Sequence, residues 1–473
     1  MRQRIFSLLV LSIIFHFSEA QAQLSERLKA VIKSSAIASK DVGIYVEQIS
    51  PSGSKVIFDH QGEKTFIPAS VTKVIPAGAA LKMLGPSKRF MTEIRATAAI
   101  QGKVLKGDIY LKGGGDPAFV TETLWVLVNE FARSGVEKIE GSILVDDTLF
   151  DEVRFDPSRE DSRVDRAYDA PVSAMSFNWN SVNVFIRSSE KVGTDAQVHA
   201  DPENEMVVVE NHVKTVAANK KTSLAVQRKS LDQGKEKIIV SGQIALGSDE
   251  KVFYKNVTNP SLWSGANLKS SLRMRGIEVL GQVKRGKTPE GARVLADVES
   301  KTVTQITQDM MKFSNNFVAE MLTKHLAISK GSPQGNMSAG MEVLQAYVAN
   351  TGIKRDRFRL VNPSGLTRDN SFKAKDMVQI LGAIQNDFLI GSEAMASFPL
   401  SGLDGTLKSR MKSQPGKVRG KTGMLDGVAS LGGWVEGKNG PLAFTFFYNG
   451  SDGKTPSARE LFDKILKTII ESE

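Results

Sequence analysis

Apolar and polar residues alternate through residues 41–59 (DVGIYVEQISPSGSKVIFD), interrupted by Pro51-Ser52-Gly53. That pattern predicts two short strands around a turn. Residues 70–84 predict a helix, stopped by Gly85-Pro86. From about residue 91 to 300 the period becomes two, in short runs at 104–111, 141–146, 181–187, 206–209 and 237–243 separated by turn residues. Helical spacing returns over 302–330. Residues 428–436 and 442–448 predict a strand pair joined by Gly437-Lys438-Asn439-Gly440. The last helix, 458–470, carries Leu461, Ile465, Leu466 and Ile469 on one side. Its polar face is mixed in charge, which favours packing on the chain's own sheet over lying on a membrane. Together these elements predict an α/β domain divided by a long β-rich insertion, with no internal repeat.

A chain of 473 residues exceeds one ordinary core, and 41% hydrophobic with 24% charged residues is globular in character. The first 22 residues stand apart: Arg2 and Arg4 precede an apolar run ending at Phe17, and Ala20-Gln21-Ala22 offers a cleavage site. This is the pattern of a secretory signal peptide, cut after Ala20 or Ala22. The run is shorter than the roughly 20 apolar residues a spanning helix requires, and no later segment is long and apolar enough to cross a membrane. Localisation in the periplasm is the expectation. The sequence contains no cysteine, which excludes disulfides, a thiol nucleophile and cysteine–zinc sites. The formal charge of +10 becomes +9 once Arg2, Arg4 and Glu19 leave with the signal. Basic residues are interspersed with acidic ones, so a solvated surface is expected and nucleic acid is not expected as a partner.

Histidine is confined to His16, His60, His199, His212 and His325, none near a serine elbow, so a Ser-His-Asp triad lacks its base. The dense His/Asp/Glu clustering of a metal hydrolase is also missing, and no cofactor is expected. Lysine is the remaining base for a serine. Ser70-Val71-Thr72-Lys73 places the two side chains on one helical face. Ser70 there is a nucleophile candidate and Lys73 its base, provided that the lysine is desolvated or lies near another cation. A cap serine followed by a surface lysine is the competing reading. Ser314-Asn315-Asn316 supplies a hydroxyl for proton relay and an amide to hold a substrate amide, or else a helix cap. Lys421-Thr422-Gly423, before an apolar strand, can bind a terminal carboxylate while the glycine admits a substrate backbone, or else is a basic turn. Gly281 to Thr288 (GQVKRGKT) formally satisfies a phosphate-loop pattern, but Pro289 and Gly291 follow and a strand, not a helix, comes next.

The three motifs in this order resemble the active-site serine penicillin-interacting enzymes, specifically the low-molecular-mass class C penicillin-binding proteins of the DacB type. These are D-alanyl-D-alanine carboxypeptidases and endopeptidases. The likeness covers nearly the whole mature chain and includes LKGGGDP (111–117), DAPVSA (169–174), NPSGLTRDN (362–370) and GLDGTLKSRM (402–411). The resemblance implies a penicillin-binding transpeptidase/β-lactamase-like α/β domain with a β-rich two-domain insertion. The catalytic domain would comprise 23–90 and 290–473, the first inserted domain 91–180 with 250–289, and a nested domain 181–249. The long stretch between Ser70 and Ser314 accommodates that insertion, and sets the chain apart from class A β-lactamases, where the interval is far shorter. The resemblance makes Ser70 the nucleophile, Lys73 its base, Ser314 and Asn316 the second catalytic element and Lys421 with Thr422 the third. The backbone N–H groups of Ser70 and Met424 would form the oxyanion hole, and Arg368 matches a position near the substrate. Peptidoglycan and β-lactams are the implied partners. Three departures stand out: Met424 replaces a hydroxyl residue, Pro76 lies within the nucleophile helix and should kink or shorten it, and Asn362 replaces aspartate. A β-lactamase or esterase with the same motifs, or a wall-binding module without turnover, are the competing functions.

Overall fold

The computed structural model describes residues 22–50, 53–159 and 165–472. The signal peptide expected at 1–22 lies outside them except for its last residue. The described residues form two compact units, one within 22–86, 307–315 and 341–472, the other within 87–306 and 316–340.

The first unit is built on a five-stranded antiparallel sheet in the order Gly53–His60, Val42–Ser50, Leu442–Asn449, Val428–Val435, Val418–Leu425. Strand alternation sends Val42, Ile44, Val46, Phe444 and Phe446 to one face. There they meet Leu24, Leu28 and Ile32 of the helix 22–33 and Leu461, Phe462, Ile465, Leu466 and Ile469 of the helix Thr455–Ser472. The predicted apolar side of the last helix is therefore core against its own sheet. The opposite face carries small residues, Ser430 and Gly432, at the register where another element must approach closely. A Cβ at Gly432 would meet Val71 Cγ1 at 3.2 Å. The turn Ala69–Lys73 and the helix Ala374–Gln385 cover this face, and the helix Val74–Leu84 packs on both.

Pro76 neither kinks nor shortens the helix Val74–Leu84. It is the third residue of that helix, in the first turn, where backbone N–H groups have no helical acceptor to lose. The helical change of character falls earlier: Ala69–Lys73 is a 3-10 turn, not the first turn of an α-helix.

The second unit holds the short strands expected between 91 and 300. They form a five-stranded sheet in the order Val283–Arg285, Ile143–Asp146, Ile109–Lys112, Met91–Ala96, Arg293–Glu299, a four-stranded sheet and two three-stranded sheets. The expected single run at 104–111 is two strands, Val104–Leu105 and Ile109–Lys112, in different sheets. Two helices also interrupt the β pattern. Thr121–Ala132 buries Leu124, Leu127, Val128 and Phe131 at helical spacing. Pro260–Met274 begins with Pro260 at its first turn, and the Asn259 side chain accepts from Leu262 N at 3.1 Å. The phosphate-loop look-alike is no helix start, because Val283–Arg285 within it is a strand. The helix expected over 302–330 is two helices, Val303–Phe313 and Asn316–Ser329, broken at Ser314 with φ +57°. Among the described residues no helix is long and apolar enough to cross a membrane.

Candidate active site

The 3-10 turn Ala69–Lys73 decides the geometry of the first motif. In such a turn residues three apart eclipse one another, so Ser70 and Lys73 share one line. Lys73 Nζ donates to Ser70 Oγ at 2.9 Å. Lys73 is fully buried, so it is not the surface lysine of the competing reading. Ala69, just before Ser70, takes φ +45°, a left-handed conformation that costs a non-glycine residue roughly 1–2 kcal/mol. Packing holds it there. Ser430 Oγ donates to Pro68 O at 2.6 Å, tying the turn to the sheet. Gly423 lets the edge strand close in, since a Cβ there would stand 2.8 Å from Ser70 N.

A second anchor is a backbone carbonyl. Ser364 O accepts from Lys73 Nζ at 2.6 Å and from Ser70 Oγ at 3.4 Å. The loop that aims it is organised by buried amides. Asn362 Oδ1 accepts from Ser364 N at 2.9 Å, Ser364 Oγ at 2.7 Å and Gly365 N at 3.0 Å. Asn370 Nδ2 donates to Asn362 O at 2.8 Å and to Thr72 Oγ1 at 3.3 Å, which returns to the Ala69–Lys73 turn. Gly365 has φ +77°, and a Cβ there would collide with Ala69 O. At Asn362 a neutral amide thus performs the acceptor work without placing a carboxylate behind the buried lysine.

The third motif lies on Val418–Leu425, the sheet's edge strand. Lys421 is fully buried, and burial pushes its pKa down to about 7. Its Nζ donates to Ser314 Oγ at 2.8 Å and to Thr422 O at 2.6 Å. The left-handed break at Ser314 brings that hydroxyl to the lysine. Thr422 Oγ1 donates to Thr406 Oγ1 at 2.8 Å, while Met424 is 63% exposed. Arg368 is exposed, and its Nη2 donates to Asp426 O at 2.6 Å, just past the strand's end.

Ser70, Lys73, Ser314, Lys421, Thr422, Gly423, Met424 and Arg368 all belong to the first unit. Asn316 follows Ser314 by two residues but groups with the second unit, where it opens the helix Asn316–Ser329 and its Nδ2 donates to Tyr168 O at 3.1 Å. His325, also in the second unit, is buried beside Phe90 with Nε2 2.8 Å from Gly115 O, and burial lowers its pKa to about 4. It is a neutral core residue. Among the described residues no cluster of three His, Cys, Asp or Glu can hold a metal. The motifs do not point to Ser364, Asn370, Thr406 or Ser430, and they mark Asn362 only as a departure from aspartate. Ser364, Asn362 and Asn370 lie inside the 362–370 signature and Thr406 inside 402–411.

Two buried lysines, each bonded to a serine hydroxyl, are the chemistry of a lysine-assisted acyl transfer. Comparison with known proteins agrees. The chain is 30% identical over 452 residues, 92% of its own length and 82% of the relative's, to a D-alanyl-D-alanine carboxypeptidase of Actinomadura sp.. It is 25% identical over 416 residues, 87% of this chain and 85% of the relative, to the D-alanyl-D-alanine carboxypeptidase DacB of Haemophilus influenzae. Among solved structures it superposes on penicillin binding protein 4 (dacB) from Haemophilus influenzae with a TM-score of 0.76 at 23% identity, covering 93% of this chain and 99% of that one. A predatory peptidoglycan endopeptidase from Bdellovibrio bacteriovorus shares the fold at TM-score 0.53 and 17% identity, with 91% and 92% covered. Residues 24–468 match the D-Ala-D-Ala carboxypeptidase 3 (S13) family, so the chain belongs to that family and is a serine-type carboxypeptidase of the kind its motifs resemble.

Proposed function

We propose that this protein is exported to the periplasm, removes terminal D-alanine from peptidoglycan stem peptides, and opens D-alanyl cross-links by the same acyl-enzyme chemistry. The observation that carries this reading is the Lys73 Nζ–Ser70 Oγ contact of 2.9 Å, deep in the unit that also holds the Lys421–Ser314 pair. Ser70 Oγ attacks the carbonyl of the penultimate D-alanine and passes its proton to Lys73. The Ser70 and Met424 backbone N–H groups receive the oxyanion. The leaving amine takes its proton from Lys73 through Ser314 as the C–N bond breaks. Water, deprotonated by the same lysine, then hydrolyses the ester and frees Ser70. Lys421 and Thr422 receive the substrate carboxylate, and Asn316 holds a substrate amide. A β-lactam follows the same first step and deacylates slowly. The H. influenzae relative has been solved with a β-lactam bound, and the Bdellovibrio protein has been solved acylated by penicillin G.

The insertion is proposed to contain a nested domain at 181–249. The strands Val207–Val216, Ser223–Ser230 and Glu236–Ala245 pair among themselves within it, which supports that division, whereas Ser181–Arg187 pairs with Lys251–Asn256 just past its end.

Purified sacculi digested with the enzyme provide the test, with products identified by mass. Pentapeptides should lose one D-alanine and cross-linked dimers should fall to monomers. Digestion that releases no D-alanine from pentapeptides would overturn the carboxypeptidase reading.

A further inference from the structure

A carboxylate offers only acceptors, and holding both of its oxygens takes at least two donors. The edge strand Val418–Leu425 alternates, so residues 422 and 424 share one face, with Lys421 and Gly423 buried on the other. Thr422 provides a hydroxyl on that face. Met424 provides a thioether, 63% exposed, with no proton to give. A second hydroxyl nevertheless reaches the same place from a different element. Thr406 Oγ1 lies 2.8 Å from Thr422 Oγ1 and accepts its proton.

The element carrying Thr406 is held firmly. Thr406 sits in the 3-10 turn Gly405–Leu407, whose Leu407 is fully buried in the sheet core. The preceding Asp404 accepts from Leu400 N at 2.7 Å through Oδ1 and from Lys312 Nζ at 2.6 Å through Oδ2. Lys312 also donates to Phe398 O at 2.7 Å. Lys312 stands two residues before Ser314, so one part-buried ion pair ties both the Thr406 turn and the end of the Ser314 helix. A Cβ at Gly405 would meet Lys312 O at 2.8 Å, and only glycine permits this approach at φ +54°.

Each of the two hydroxyls carries one proton, so when a carboxylate breaks their mutual contact the pair offers it two donors. Resting on the carboxypeptidase reading above, we propose that Thr406 is a specificity residue of this enzyme. Its hydroxyl donates to one oxygen of the substrate's terminal carboxylate while Thr422 turns its proton to the other, filling the place that Met424 leaves without a donor. The turn's rigidity means little ordering is needed when the carboxylate arrives. Lys421, one residue before Thr422 on the strand, adds the countercharge.

Benzylpenicillin and its methyl ester test this, because they differ only in the carboxylate. Acylation rates at Ser70 are followed by intact mass for wild type, Thr406→Val and Thr406→Ser. The acid-to-ester rate ratio should fall about tenfold to a hundredfold in Thr406→Val, the effect of one hydrogen bond to a charged group. Thr406→Ser, which keeps the hydroxyl, should retain the wild-type ratio. An unchanged ratio in the valine variant, or equal losses on acid and ester, would overturn the proposal, as would failure of serine to preserve the ratio in a folded protein. A wild-type enzyme that labels with neither compound, or labels on Ser70→Ala, would instead bring down the underlying acyl-transfer reading.

Discussion

Replacing Lys421 with methionine should separate stability from function at a position where the two conflict. The lysine is fully buried and its pKa falls to about 7, against an ordinary value near 10.5. The folded protein therefore favours the neutral amine only above about pH 7, where it is half charged, while the unfolded chain carries it charged up to about 10.5. The unfolded state binds more protons between these two values, so the lysine's burden on stability grows as pH falls from about 10.5 to about 7. At pH 7 that burden is about 4 kcal/mol, and at pH 9 about 2 kcal/mol, by the 1.36 kcal/mol that each pKa unit represents. Methionine fills similar volume and carries no proton. It also forfeits the bonds to Ser314 Oγ and Thr422 O, at about 1 kcal/mol each. Lys421→Met should thus be about 2 kcal/mol more stable than wild type at pH 7 and close to neutral at pH 9. Denaturant unfolding of both proteins at the two pH values reads this directly, and the difference between them cancels the other titrating groups. Cleavage of D-Ala-D-Ala peptide should meanwhile collapse, because the countercharge for the carboxylate is gone. A stability difference that does not move between pH 7 and pH 9 would refute the buried, half-charged lysine.

Lys73→Ala should slow acylation by roughly 10²–10⁴-fold even at saturating penicillin, as loss of a general base does; stopped-flow labelling at close to the wild-type rate would make that lysine a bystander. Gly365→Ala should lower stability by at least about 1–2 kcal/mol for its left-handed backbone, and should slow acylation further by pushing the Ala69 carbonyl and with it Ser70. Thermal melting and labelling rates unchanged from wild type would contradict the close contact. N-terminal sequencing of envelope material should read a chain starting at Gln21 or Gln23, and a retained Met1 would refute signal cleavage.

The candidate motifs are legible because each needs particular side chains at fixed spacing, and spacing survives in sequence. Ser70 and Lys73 sit three apart whether the turn is α or 3-10, so the pairing read from the chain was right although the helix type was not. The Ser364 carbonyl was not legible, since a backbone atom leaves no mark of its own in composition. Only the buried acceptor at Asn362 and the left-handed Gly365 reveal, once folded, that this loop points inward. Thr406 was hidden for another reason: it lies 16 residues from Thr422, and only tertiary packing joins them. In the inserted region the period-two signal overshadowed real helices. The exposed Trp125 and Val126 blurred the helical spacing of Leu124, Leu127, Val128 and Phe131. The Asn259-Pro260 start of the other helix was a readable cap signature that the strand pattern around it masked. That Met424 has no proton to donate is plain from its side chain, whereas the Thr406 hydroxyl beside Thr422 becomes visible only in three dimensions.

The central claim is that Ser70, activated by Lys73, is the nucleophile. Incubation with benzylpenicillin, followed by proteolysis and mass spectrometry, tests it most directly. The penicilloyl adduct should map to the peptide containing Ser70 in wild type and vanish in a Ser70→Ala protein whose thermal unfolding matches wild type. An adduct on any other residue, or one that persists in the folded alanine variant, would contradict it.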